Sequence, residues 1–431
     1  MIAIKNDLKI FQDRDGKRLK EYVLEVVNDE LVITDDDGEL FEYSINNKES
    51  QRLQETLFHE KQTIIENCLF GVDINPNSVK ICRLRLWIEL LKNAYYKNET
   101  ELETLPNIDI NIKCGNSLIS RFDLDADIHE ALKKSKWSID SYRIAVDAYR
   151  NAQSKDEKHE MERLINDIKS DFRSEISKGD PKLKKLYKFS GELANLTTQT
   201  GLFEMSKKEK TVWNKKVEKL TKDTKKLETE IEEIKNNKIY ENAFEWRFEF
   251  PEVLNDEGDF VGFDTVIGNP PYIRVQELEH DQIDFYKNNF AVAFKRVDIS
   301  ILFFERAYLV LSESGYCSYI TSNQFISSEY GRNCRDFLKD SFNPIEIIDY
   351  QDLPVFDDAL TYVSVFTMSK VKISSFTIFR VTSINDAKSN HFGPEISIKV
   401  SNLNSDNWSL KPQNETDLLQ KLDLYDALEK Y

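Results

Sequence analysis

Short apolar runs alternate with longer segments of helical spacing along much of this chain. Cys68 to Ile74, Ile108 to Leu118, Phe263 to Tyr272, Gly315 to Phe325 and Pro344 to Tyr350 each read as a buried strand. After the first run, Pro76 stands where the first turn of a helix tolerates proline, and Val79, Cys82, Leu86 and Leu90 recur at helical spacing. Further helices are expected over Asp298 to Glu313, closed by Gly315, and over about Glu329 to Ser341. Strands alternating with helices predict an α/β sheet whose ligands bind beyond the carboxyl ends of its strands. Asp73, Asn116 and Asn269 fall at such ends.

Two stretches depart from this pattern. Glu30 to Ile45 alternates apolar and polar residues on both sides of Asp35-Asp36-Asp37-Gly38, which predicts a β-hairpin. From about Arg121 to Glu245 the chain turns to Lys, Glu and Asp. There Trp213, Val217, Leu220, Thr224, Leu227, Ile231 and Ile234 form a heptad seam, while Leu164, Ile168, Phe172 and Ile176 step by four. An inserted helical arm, an antiparallel coiled-coil hairpin, is the expectation. Its lysine clusters read first as a solvated helix face, with a DNA-backbone contact as the alternative.

Composition narrows the class. A chain of 431 residues, 40% hydrophobic and 11% aromatic, buries a substantial core. A formal charge of −17 argues against wholesale polyanion binding and confines any nucleic-acid contact to one face. The five cysteines (Cys68, Cys82, Cys114, Cys317, Cys334) lack C-x-x-C spacing, so reduced core thiols are expected, with neither disulfides nor a metal site. The charged N-terminus lacks a signal-peptide pattern, and the most apolar helix is interrupted by Glu305 and Arg306. A cytoplasmic protein that does not span a membrane is expected.

The segment Asn269-Pro270-Pro271-Tyr272 carries the sharpest chemistry. Two prolines remove two backbone donors and fix two φ angles, so the chain leaves the sheet there as a rigid loop. An aromatic exocyclic amine is a poor nucleophile because its lone pair is delocalised into the ring. The Asn269 side-chain oxygen and the Pro270 carbonyl, aimed at its two hydrogens, localise that pair and favour the developing positive charge. Tyr272 offers a stacking face for a base taken out of its helix. Asp73 has two readings: a carboxylate that accepts both hydroxyls of a cofactor ribose, or an N-cap on the following helix.

With these residues in hand, the chain resembles the N6-adenine DNA methyltransferases of the gamma class, most closely the methylase part of type IIG restriction-modification enzymes. The resemblance implies a Rossmann-like α/β sheet using S-adenosylmethionine to methylate a flipped adenine in double-stranded DNA. It implies catalytic roles for Asn269, Pro270, Pro271 and Tyr272. Cofactor contacts fall to Asp73, Ile74, Asn116, Ser117 and Asn269. An aspartate is common at the position of Asn116, which makes that match weaker. Phe356, in the segment from Leu353 to Met368, is implied as a second stacking ring opposite Tyr272, with a core phenylalanine as the alternative. Asp298 is implied near the methionine end of the cofactor.

The same resemblance divides the chain into 1–120, the N-terminal part of the methyltransferase domain; 121–245, the inserted arm; 246–385, the catalytic part; and 386–431, a linker toward a target-recognition domain. These enzymes carry a Gly-x-Gly cofactor loop after their first strand, and this sequence has none. The first strand is therefore expected to be missing, and the chain to be an internal fragment. A second polypeptide is then the expected source of the cofactor loop and the target-recognition domain. An inactive fragment or interaction module is one alternative, and a protein glutamine-amide methyltransferase another. No Asp…Glu-x-Lys constellation suggests a nuclease.

Overall fold

The computed structural model describes residues 1–410 apart from 29, 104, 123, 125–128, 180, 200–206, 237, 274–276, 296–297, 357–361 and 409. Most of the segment from Trp408 to Tyr431, read as leading into a further domain, lies outside the described residues. The chain forms two units.

The first unit comprises Met1–Ser117, Ile128–Lys235 and Phe248–Glu252. It opens with helix α1 (Ile2–Asp7) and the antiparallel strands β1 (Tyr22–Val27) and β2 (Glu30–Asp35). The Asp35–Gly38 turn forms, with the Asp35 carboxylate accepting the N–H groups of Asp37 and Glu39. The hairpin, however, lies before that turn, and the chain after it returns only by a single Thr34–Leu40 bridge. Burial explains the difference: Leu24 of β1 packs with Leu53 and Leu57, whereas Leu40 stays exposed.

Helix α2 (Lys48–Cys68), which the strand-centred reading passed over, is capped by Asn47 and buries Leu53, Leu57, Phe58 and Ile65. It consumes the start of the first expected strand, leaving β3 (Gly71–Asp73). Helix α3 (Pro76–Leu91) follows, with proline in its first turn. Strand β4 (Ile112–Cys114) runs parallel to β3, Asp73 opposite Cys114. The expected arm is helical: α4 (His129–Lys134), α5 (Ile139–Asn151), α6 (Lys155–Gly179), α7 (Pro181–Gln199) and α8 (Lys207–Asn236). Ile168 and Phe172 of α6 are buried, as are Leu220 and Thr224 of α8.

A charge cluster fastens α6 to β4. The Glu249 carboxylate, in the short helix α9 (Trp246–Glu249), receives Lys169 at 2.6 Å, Lys113 at 3.0 Å and Arg173 at 3.3 Å. Burial alone would raise this carboxyl group, but the Lys113 and Lys169 charges outweigh it and hold it at about 2. Burial lowers the Lys169 ammonium to about 7, helped by the like charge of Lys113.

The second unit comprises Leu118–Asp127, Asn236–Arg247 and Val253–Tyr431. Its elements are β5 (Phe263–Gly268), α10 (His280–Asn289), α11 (Ile299–Val310), β6 (Leu311–Ser322), α12 (Arg332–Asp340), β7 (Asn343–Asp349), β8 (Val363–Ser369), β9 (Ser375–Arg380), α13 (Ile384–Lys388) and β10 (Glu395–Lys399). Six strands form one mixed sheet in the order β10-β9-β7-β8-β6-β5. The β5–β6 and β7–β9 pairs are parallel, and the other three are antiparallel. Phe304, Phe325 and Phe366 meet in its core with ring centroids 5.2–5.9 Å apart.

Several expectations change here. Gly315 does not close a helix; it lies inside β6, where an added Cβ would stand 2.9 Å from the Phe263 and Asp264 carbonyl oxygens. Within the segment expected as a linker, β10 extends the sheet, and Leu403 and Trp408 are buried. Arg335, 1% exposed, donates to the carbonyls of Phe325, Ser328, Ser405 and Asp406, tying that segment down. Only Cys317 and Cys334 are core thiols; Cys68, Cys82 and Cys114 are exposed, because α2, α3 and β4 place them on outward faces. The strands form separate sheets, and among the described residues β3 pairs only with β4 and β5 only with β6. No helix of the described residues is long and apolar enough to cross a membrane, and none of their His, Cys, Asp and Glu side chains group to hold a metal ion.

The Glu249 cluster has a pH signature. Its carboxyl group titrates from 4.5 unfolded down to about 2 folded, so its contribution is fully present above pH 4.5 and is lost as the pH falls through 2. A shift of that size is worth about 3 kcal/mol. Urea unfolding at both ends of this window should show the parent chain losing about 3 kcal/mol more than Glu249→Gln. Equal losses would mean that the cations do not hold the carboxylate.

Candidate active site

In the first unit the ends of β3 and β4 bring Asp73 and Asn116 to neighbouring positions. The Gly115 N–H donates to the Asp73 carbonyl at 3.0 Å, which locks the two strand ends together. The Asp73 carboxylate is exposed and accepts the Asn75 N–H at 2.6 Å through Oδ1. The N-cap of α3 is Asn75, whose side chain accepts the Asn77 N–H. The alternative reading of Asp73 as that cap therefore falls, because the capping position lies two residues further on. Ile74 is exposed, while Asn116 and Ser117 are half-buried.

In the second unit the parallel pairing of β5 with β6 ends at Gly268 opposite Tyr319. The chain then leaves the sheet: Asn269 is exposed, Pro270 buried, and Pro271 exposed. Buried Pro270 anchors the loop while the Asn269 side chain faces outward, making no hydrogen bond among the described residues. The Tyr272 hydroxyl donates to the Ile320 carbonyl at 3.4 Å, and partial burial raises the pKa of its phenol. Its ring stands edge-on to Phe356, with centroids 6.3 Å apart and planes at 61°. Three of the residues singled out in the sequence, Asn269, Tyr272 and Phe356, thus share one end of the sheet. Asp298 caps α11, accepting the Ser300 N–H at 2.9 Å and its hydroxyl at 2.7 Å.

The sequence of the site matches a known protein family. The model of the Eco57I restriction-modification methylase family covers residues 67–356, a span that holds both strand-end groups. The chain belongs to this family. A type II restriction enzyme and methyltransferase of Escherichia coli, RM.Eco57I, is 29% identical over 154 residues, covering 35% of this chain and 15% of that protein. A putative enzyme of the same kind from Methanocaldococcus jannaschii, RM.MjaORFECS2P, is 28% identical over 292 residues, covering 62% of this chain and 23% of that one. The chain thus spans less than a quarter of the length of either relative. The solved structure of the type IIG restriction endonuclease BpuSI overlaps 42% of this chain and 26% of its own, at 16% identity and a TM-score of 0.29.

In this Eco57I-family chain the structure adds a group that sequence reading missed. Asp349, at the carboxyl end of β7, accepts hydrogen bonds from the Ser364 hydroxyl at 2.9 Å, the Gln351 N–H at 3.1 Å and the Asn323 amide at 3.2 Å. The Asn323 N–H in turn donates to the Tyr362 carbonyl, and the Tyr350 N–H to that of Val363. The connection that carries Phe356 is therefore pinned at both ends. Asp349 ends an apolar strand just as Asp73 does, and that shared position was the available signal.

Removing the shared acceptor should loosen the Phe356 connection. Asp349→Ala is expected to cost about 1–3 kcal/mol, because the buried Ser364 hydroxyl loses its acceptor. Hydrogen exchange at the Gln351 and Leu353 amides should accelerate in that variant. Unchanged exchange would show that Asp349 does not hold the connection.

Proposed function

We propose that this chain forms the catalytic part of a DNA adenine-N6 methyltransferase of a restriction-modification system, with S-adenosylmethionine as methyl donor. The observation that carries the reading is the end of β5: an outward Asn269 held by buried Pro270, with Tyr272 and Phe356 ring against ring beside it. The Asn269 side-chain oxygen and the Pro270 carbonyl accept the two hydrogens of the adenine amine. The nitrogen lone pair is thereby turned out of the ring for attack on a methyl group. Tyr272 and Phe356 touch each other in this structure, so an extruded base stacks only by parting them.

S-adenosylmethionine supplies the electrophilic methyl group. The donor set at β3 and β4 suits it: the Asp73 carboxylate is exposed, with its backbone hydrogen bond on one oxygen only, matching the paired hydroxyls of a ribose. Ile74, Asn116 and Ser117 complete that end as proposed contacts. A glycine-rich cofactor loop is proposed to come from a further polypeptide segment, since these 431 residues hold no Gly-x-Gly.

Single-turnover methyl transfer in the protein carrying the cofactor loop tests the clamp. Asn269→Ala should slow the chemical step by at least about 100-fold while cofactor affinity stays unchanged. A near-normal rate would remove Asn269 from the reaction. Tyr272→Ala and Phe356→Ala should each weaken binding to target DNA by roughly 1–3 kcal/mol. Each should also abolish the fluorescence rise of 2-aminopurine placed at the target base. A full rise in Phe356→Ala would return that ring to the core.

A further inference from the structure

Helix α8 carries a charge pattern that the proposed reaction does not use. Between Lys207 and Lys226 it holds nine lysines against three acids, in a chain whose formal charge is −17. At about 100° per residue, Lys215, Lys219, Lys222 and Lys226 fall within a wedge of about 60°. That wedge faces away from Leu220 and Thr224, the buried positions of the helix, and all four lysines are exposed. Glu218 and Asp223 lie on the same helix, yet Lys215, Lys219 and Lys222 make no ion pair among the described residues.

Helix stability accounts for only part of this arrangement: Glu218–Lys222 and Lys219–Asp223 are opposite charges spaced i,i+4, but the lysines also oppose one another. Lys215–Lys219 and Lys222–Lys226 are like charges spaced i,i+4, a pairing that destabilises an isolated helix. The lysines crowd the amino-terminal part of α8, while Glu228, Glu230, Glu232 and Glu233 follow toward its carboxyl end. That polarity opposes the helix macrodipole. The stripe fits an external polyanion instead. Its four lysines span about 17 Å of helix axis at 1.5 Å per residue. A duplex presents about five phosphates per strand over that length, at 3.4 Å each.

We propose that the Lys215, Lys219, Lys222 and Lys226 face of α8 binds the phosphate backbone of double-stranded DNA without reading its sequence. The choice of DNA over another polyanion rests on the methyltransferase reading above. The stripe adds affinity and orientation and leaves base recognition to other groups.

The test is binding of the full chain to a short duplex that lacks any methylation target, over about 50 to 200 mM salt. Comparison is with the quadruple variant K215Q/K219Q/K222Q/K226Q. The slope of log affinity against log salt should shrink by about 3–4, close to 0.9 for each phosphate that is no longer neutralised. A quadruple Lys→Arg variant should keep the parent slope, and circular dichroism should show both variants as helical as the parent. An unchanged slope in the glutamine variant would overturn the proposal. So would a variant that keeps duplex binding but loses binding to a poly-glutamate peptide, which would assign the stripe to an acidic protein. Asn269→Ala should keep the parent slope: if the slope holds while Asn269→Ala methylates normally, only the catalytic reading falls. If the glutamine variant leaves the slope unchanged while methyl transfer still needs Asn269, only the stripe falls.

Discussion

The parallel register of β5 against β6 is the constraint on which the catalytic end of the second unit depends. Two glycines enforce it from opposite ends. Gly262, at φ +87°, brings the chain so close to β6 that an added Cβ would stand 2.6 Å from the Ser312 nitrogen. Gly268 lies opposite Tyr319, whose ring would meet a Cβ at 3.0 Å. A side chain at Gly262 would push β5 off its partner, and one at Gly268 would require the Tyr319 ring to give way. Because side chains alternate between faces, a slip of one residue would also reverse every side chain that precedes Asn269. With the register set, the chain leaves the sheet at one position, burial of Pro270 fixes its direction, and the Tyr272 hydroxyl falls within reach of the Ile320 carbonyl.

The first unit solves a different problem, that of holding a long charged arm against a two-stranded sheet. Hydrophobic contact binds the arm to itself, Tyr142 of α5 meeting Phe172 of α6 ring to ring, with Ile168 buried on the same helix as Phe172. The Glu249 cluster supplies specificity, since one carboxylate satisfies cations from β4 and α6 together. Buried charges contribute little net stability compared with apolar packing, but one left without its partner is strongly unfavourable. The cluster therefore favours a single seating of α6 over slipped ones. Lysine thus has two settings in one arm: Lys169 is buried and committed to Glu249, whereas Lys215, Lys219 and Lys222 of α8 are exposed.

What was legible in the sequence follows from how local each signal is. Pro76 in a first turn, the chain break at Pro270-Pro271 and the helical character of the arm are set by nearest neighbours, whereas the arm is built of five helices, α4 to α8. Helix α2 escaped notice because buried Gln54 and Lys61 interrupt its apolar face; tertiary contacts satisfy them, with Gln54 donating to the Ala94 carbonyl and Lys61 to Glu89. Gly315 resembles a helix stop, but the need to pass close to β5 decides its place. The ring contact of Tyr272 with Phe356 joins residues 84 positions apart. No periodicity encodes such a contact, and only the family resemblance pointed to it. The Asp349 network was illegible for the same reason: Asn323 and Ser364 become its partners only once β8 lies between β6 and β7.

The strands that lead into proposed site residues, β3, β4 and β5, are edge strands among the described residues, which shapes how their ends are held. An edge strand has one line of hydrogen bonds and is the part of a sheet most prone to fray or to recruit another strand. Ile267 shows the exposure directly at 82%. Precision at Asn269 therefore cannot come from pairing on both sides. It comes from local devices: two prolines that limit the backbone, a buried Pro270, and a tyrosine tethered to the neighbouring strand. Asp73 is fixed in the same one-sided way, by the Gly115 bond to its carbonyl and the Asn75 bond to its carboxylate. A strand added along the free edge of β5 would leave the Tyr272 tether in place, because that bond reaches across to β6.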